Sequence, residues 1–211
     1  MSLDGKIAPA DRQGRKFFRF MTARHRMMLH RIRSEVDAII VGVETVIADN
    51  PSLTVRDVKG TNPIRVVLDS RARIPLGSKL LNSEAPTIVA VTKDAPRRRV
   101  IVLQRRAKVL VQKRHGRVDP TELLRGLKTL GVRKVLVEGG GEVRWSFFKA
   151  NLVDDVFVWI TPHVWGGKDA PTLVDGTGFT NEARAVPLRL VRSRLVDNLL
   201  ILSFLVKRTH V

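Results

Sequence analysis

The chain has 211 residues, 44% of them hydrophobic, carries 38 Lys and Arg against 20 Asp and Glu for a net charge of +18, and contains no cysteine. That length suits one well-buried core and is short for two domains; the lack of cysteine excludes disulfides, thiolate zinc sites and a cysteine nucleophile. The longest stretch without a charge, Val156 to Gly167, is far too short to span a membrane.

In chain order, the first 35 residues are strongly basic, and Thr22 to Arg33 suits a helix with Met21, Met28, Leu29 and Ile32 available as its apolar stripe. Val36 to Val43 is apolar apart from Asp37 and reads as a buried strand. Asp49-Asn50-Pro51-Ser52 is a loop. Ile64 to Leu68 and Thr87 to Val91 are further buried strands, the first ending at Asp69-Ser70-Arg71. Ala95 to Arg106 is open between helix, favoured by Pro96 and the arginines, and strand, favoured by Val100-Ile101-Val102. Val109 to Val111 is a short strand.

Asp119-Pro120-Thr121-Glu122 is a helix start, with an N-cap Asp, Pro at the first helical position and Glu at the third. Leu123, Leu124, Leu127 and Leu130 mark one face, and Gly131 closes the helix. Lys134 to Glu138 is a strand, Gly141 to Ala150 a helix, and Val156 to Thr161 another strand. Leu188 to Leu195 and Leu199 to Val206 are joined at Asp197-Asn198, a two-residue junction that predicts an antiparallel hairpin. The alternation predicts an α/β sandwich: a mostly parallel central sheet with an antiparallel C-terminal hairpin and helices on both faces. Ligands of such sheets bind outside the carboxyl ends of the strands.

The most informative junction is Val135-Leu136-Val137-Glu138-Gly139-Gly140-Gly141. An apolar strand ends in a carboxylate, and three glycines lead into a helix whose first N–H groups attract anions. Such junctions are also often purely structural. The high positive charge attracts polyanions. With 5% aromatics and no tyrosine, basic–aromatic interleaving is thin, which favours a solvated Arg-rich surface on an enzyme of phosphorylated ligands over a nucleic-acid binder. No basic region followed by an apolar block opens the chain, so no secretory signal is expected, and the lack of cysteine points to the cytoplasm.

Several junctions together resemble the riboflavin-biosynthesis reductases. They are Ser2-Leu3-Asp4-Gly5-Lys6, Arg33 to Ala38, Gly42 to Arg56, Asn62 to Ser70, Glu138 to Gly141, and Leu152-Val153-Asp154-Asp155 with Pro162 and Gly166-Gly167. The block Thr45 to Arg56 is the specific part; the triple glycine alone is not. The resemblance implies a single domain with a dihydrofolate-reductase-like fold. It implies NADPH-dependent reduction of a ribosylaminopyrimidine 5′-phosphate to the ribitylamino compound. Members that also deaminate carry a zinc domain, for which this chain has neither room nor cysteines. The stand-alone type, which reduces 2,5-diamino-6-(ribosylamino)-4(3H)-pyrimidinone 5′-phosphate, is the better match.

By the same resemblance, Thr45, Asp49, Ser70, Arg71, Gly139, Gly140 and Gly141 are expected to contact NADPH, and Arg33, Leu53, Arg56 and Glu138 the phosphorylated pyrimidine. An arginine at Arg71 suits the adenosine 2′-phosphate. Glu142 sits awkwardly beside phosphate unless it points outward. His25, His30, His115, His163 and His210 have no ligand spacing with carboxylates, so no metal is expected and they read as structural or exposed. A homodimer without membrane or nucleic-acid partners is implied. Two departures stand out. In the family an apolar strand runs straight into the Ser-Leu-Asp-Gly motif, so either the start here is assigned too late or the sheet lacks that N-terminal strand, a loss that would leave ladder groups unpaired. Arg19-Phe20-Met21-Thr22 replaces the family's Ser-x-Trp/Arg-Ile-Ser/Thr segment.

Overall fold

A computed structural model describes residues 1–207, so His210 lies outside the described residues. Five parallel strands form the central sheet: β1 (Ala38–Gly42), β2 (Ile64–Leu68), β3 (Thr87–Val91), β4 (Lys108–Val111) and β5 (Val135–Val137), in the order β4-β3-β2-β1-β5. The register is in step, with Ala38 opposite both Ile64 and Val135. β1 is buried along its whole length, as its unbroken apolar run requires.

Strand alternation sends side chains to two faces. Ile39, Val41, Val67, Val89 and Val91 pack on one face with Val43 and Val46 of α2 (Val43–Asp49) and Leu103 of α3 (Arg97–Gln104). Ala38, Ile40, Val66, Ile88 and Ala90 pack on the other with Leu123 and Leu127 of α4 (Pro120–Thr129) and Phe147 of α5 (Gly141–Lys149). The open segment 95–106 is therefore a helix. Asp119 caps α4, its Oδ1 accepting from the Thr121 and Glu122 N–H groups at 2.7 and 3.2 Å.

β7 (Leu188–Val196) and β8 (Leu199–Val206) form the expected hairpin, and β6 (Asp155–Ile160) pairs antiparallel with β8. Asp197 and Asn198 both take left-handed φ, 43° and 70°, as the tight turn demands. These three strands are a separate sheet in the order β6-β8-β7. Among the described residues, neither the edge of β5 away from β1 nor that of β6 away from β8 carries a strand partner. Ser2 makes only an isolated parallel bridge to Thr161, and the Met1 nitrogen donates to the Trp159 carbonyl at 2.5 Å. Between the sheets lies a groove of about 1360 Å³ walled by apolar and charged side chains together.

The helix α1 (Ala23–Ser34) buries polar groups. Met21, Met28, Leu29 and Ile32, the residues available as its stripe, are half-buried, while its fully buried residues are His25, His30 and Arg33. Each buried polar group finds a partner, which is what burial requires. His25 Nε2 bonds the Val196 carbonyl at 2.8 Å and His30 Nδ1 the Thr54 carbonyl at 3.0 Å. Arg65 on β2 is also fully buried, with its guanidinium on Thr87 Oγ1, Asn82 Oδ1 and the carbonyls of Lys79, Asn82 and Ala85. No helix among the described residues is long and apolar enough to cross a membrane.

Candidate functional site

A cavity of about 1070 Å³ opens over the carboxyl ends of β1, β2 and β5. Arg33, Thr45, Asp49, Leu53, Arg56, Ser70, Arg71, Glu138, Gly139, Gly140 and Gly141 all line it. Residues separated by more than a hundred positions are thus brought together, because parallel strands deliver their following loops to one end of the sheet.

Glu138 ends β5 and is held by Arg33 from α1 in a two-pronged pair: Nε donates to Oε1 and Nη2 to Oε2, each at 2.7 Å. Arg33 Nη1 also donates to the Thr54 carbonyl at 3.3 Å. The side chains of Arg33 and Glu138 are only 6% and 17% exposed, so this pair is part of the cavity wall. Arg144 of α5 donates to the Glu138 carbonyl at 2.5 Å and the Leu173 carbonyl at 3.2 Å. Burial draws its guanidinium below the ordinary value, against the pull of Glu138 and Asp175.

The glycines have distinct reasons. A Cβ on Gly139 would stand 2.9 Å from Val41 Cγ1 and 3.1 Å from Thr45 Oγ1, and one on Gly141 would meet Asp175 Oδ2 at 2.2 Å. Both are demanded by the protein's own packing. Gly140 has φ 78°, the left-handed turn into α5. It is the N-cap of α5 and supplies no side-chain cap, which leaves the first-turn N–H groups of that helix without a side-chain acceptor at their start. Glu142 is paired with Arg117 at 2.5 Å, and both line the cavity.

Asp49 is committed within the chain. Its Oδ1 accepts from the Arg15 N–H at 3.1 Å, and a Cβ on Gly14 would lie 3.0 Å from its Oδ2. Burial, aided by Asp11, raises its carboxyl above the usual range, while the Gly14 and Arg15 N–H groups oppose that rise. Ser70 Oγ accepts from the Val118 N–H at 3.0 Å. Leu53 is buried in the core with φ 52°. Arg56 and Arg71 differ from all of these: both are exposed, and among the described residues neither makes a hydrogen bond or ion pair.

The segment from Asp11 to Phe18 also walls the cavity, as do Arg117, Arg144 and Asp175. Sequence reasoning assigned none of them a role. The stretch 11–18 has no periodicity, and Arg144 reads as one more surface cation in a helix. Among the described residues, no group of three or more His, Asp or Glu side chains is placed to hold a metal ion.

The profile of a family described as the RibD C-terminal domain matches residues 1–202. The 2,5-diamino-6-ribosylamino-4(3H)-pyrimidinone 5′-phosphate reductase of Methanothermobacter thermautotrophicus is 43% identical over 214 residues, covering 98% of this chain and 95% of that protein. The reductase of the same name from Archaeoglobus fulgidus is 42% identical over 193 residues, covering 87% and 86%. Among solved structures, RibD of Acinetobacter baumannii superposes with a TM-score of 0.79 at 25% identity, covering 98% of this chain but 55% of that one. The chain therefore spans about half of RibD. A pyrimidine reductase-like protein from Corynebacterium diphtheriae, 19% identical, shares the fold with a TM-score of 0.82, covering 99% of this chain and 90% of that one.

Proposed function

Because this chain belongs to the RibD C-terminal domain family, we propose that it is an NADPH-dependent reductase of riboflavin biosynthesis, working in the cytoplasm on 2,5-diamino-6-(ribosylamino)-4(3H)-pyrimidinone 5′-phosphate. The observation that carries the reading is the convergence of Arg56, Arg71, the Arg33–Glu138 pair and the uncapped start of α5 on one cavity. Relatives named as this reductase at 43% and 42% identity support it over a nucleic-acid-binding role.

The residues fit a dinucleotide. The α5 start offers N–H groups to a pyrophosphate, and the free fork of Arg71 beside Ser70 matches a 2′-phosphate. When bound, the cofactor supplies the hydride, so the chain's task is to align two ligands and exclude water. Arg56 has a free guanidinium for the 5′-phosphate of the substrate. Arg33 grips Glu138 through both carboxylate oxygens, which fixes the remaining lone pairs to accept from pyrimidine amines or ribose hydroxyls.

The test is oxidation of NADPH followed in the presence of the diaminopyrimidine phosphate, with NADH and with the deaminated substrate as comparisons. Turnover with NADPH and the diamino compound is expected; no turnover with either pyrimidine sinks the reading. A homodimer is part of the proposal. Leu188, Leu190 and Leu195 of β7 are 40%, 53% and 73% exposed, an apolar edge that a second copy would cover. Light scattering at twice the chain mass is the expected result.

A further inference from the structure

The loop joining β4 to α4 is held rigidly at both ends and in the middle. The Asp119 N–H donates to Gln112 Oε1 at 2.7 Å, and Gln112 Nε2 donates back to the Asp119 carbonyl at 2.9 Å. Asp94 accepts from the Gly116 N–H at 2.7 Å and meets His115 Nδ1 at 2.5 Å. Thr92 Oγ1 reaches the Gly116 carbonyl at 3.3 Å, and Ser70 Oγ takes the Val118 N–H at 3.0 Å. Anchors from the ends of β2 and β3 thus fix the backbone on either side of Arg117.

Arg117 itself is free to swing. Its side chain is 79% exposed, and its only partner among the described residues is Glu142, 52% exposed, in the first turn of α5. Both residues line the cavity beside Gly140 and Gly141. An ion pair this exposed holds weakly. A phosphate offers the guanidinium fork a better-matched acceptor, with more charge, than a solvated carboxylate. A rigid loop therefore presents one exchangeable cation at the helix start, where an anion belongs.

We propose that Arg117 binds the pyrophosphate of the dinucleotide and is parked on Glu142 until that anion arrives. This rests on the reading of the cavity as a nicotinamide dinucleotide site. NADPH and NADH are titrated separately, by nicotinamide fluorescence, into the wild type and the variants R117A, R117K, R114A and E142Q. R117A is expected to weaken both dinucleotides about fivefold, with R117K between it and the wild type. R114A lies in the same loop but its guanidinium is on Asp119, and it should bind as the wild type does. E142Q removes the competing carboxylate and should tighten both about twofold.

Unchanged affinity in R117A overturns the proposal. So does a loss confined to NADPH, which would put Arg117 on the 2′-phosphate, or a weakening in E142Q, which would make Glu142 a support rather than a competitor. A wild type that binds neither dinucleotide brings down the cofactor reading itself, a result distinct from an R117A that matches an avid parent.

Discussion

The two large hollows of this molecule differ in how the charges in their walls are held. The groove between β5 and β6 is the larger, about 1360 Å³ against about 1070 Å³. Its walls mix Met28, Val135, Val137, Phe147, Trp159 and Ile201 with charged residues, exposed ones such as Arg31 and Arg192 and the half-buried Arg144 that it shares with the cavity. The cavity over the strand ends instead keeps charges inside its wall, Arg33 and Glu138, fully engaged with one another. Volume alone does not mark chemistry. Polar groups that converge, and whose burial is matched by partners, do.

That contrast sets which substitutions should touch stability and which should touch binding. The largest effect is expected for Phe147→Ala. Phe147 is 2% exposed, belongs to the core and lines the groove. Its truncation should cost about 3–5 kcal/mol in denaturant unfolding and leave dinucleotide affinity of the folded variant unchanged. A parallel fall in affinity would show the two hollows to be one coupled unit. Next comes Arg56→Ala, expected to raise the KM for the pyrimidine phosphate about tenfold, or about 1.4 kcal/mol. Unfolding should move by less than about 0.5 kcal/mol. Equal loss of cofactor affinity would argue against a substrate role for Arg56.

The smallest effect is a pH dependence at a buried histidine beside Arg33. Burial, with Arg33 beside it, lowers the His30 pKa below its ordinary value, against the pull of Asp57. The unfolded chain takes up this proton near pH 6.5, whereas the folded chain resists it to lower pH. The unfolded state then holds more protons, so stability falls as pH drops through 6.5 and is retained above it. Thermal midpoints at pH 7.5 and 5 should show this slope, and His30→Gln should flatten it. An undiminished slope in the variant would move the effect to another group.

Much of the architecture was legible because burial leaves a mark on composition. Ile64 to Leu68 and Thr87 to Val91 are strands with the predicted bounds, since strands covered on both faces are predominantly apolar. Asp119 announces α4 because an orphan N–H needs an acceptor. α1 was legible as a helix, but which of its polar residues are buried was not, because the partners of His25, His30 and Arg33 at Val196, Thr54 and Glu138 lie far away in the chain. Arg65 was hidden in the same way. The gathering of the site residues followed from strand ends, but the loop and backbone bonds that occupy Asp49 and Ser70 required three dimensions.

Gly139 carries a constraint on how this chain can drift. With Val41 Cγ1 2.9 Å and Thr45 Oγ1 3.1 Å from where its Cβ would be, position 139 gains a side chain only if these neighbours give way. The dependence runs one way: a side chain at 139 calls for room from Val41 and Thr45, whereas a smaller residue at 41 asks nothing of the glycine. A glycine that looks like a ligand signature is kept here by a valine in the strand next door.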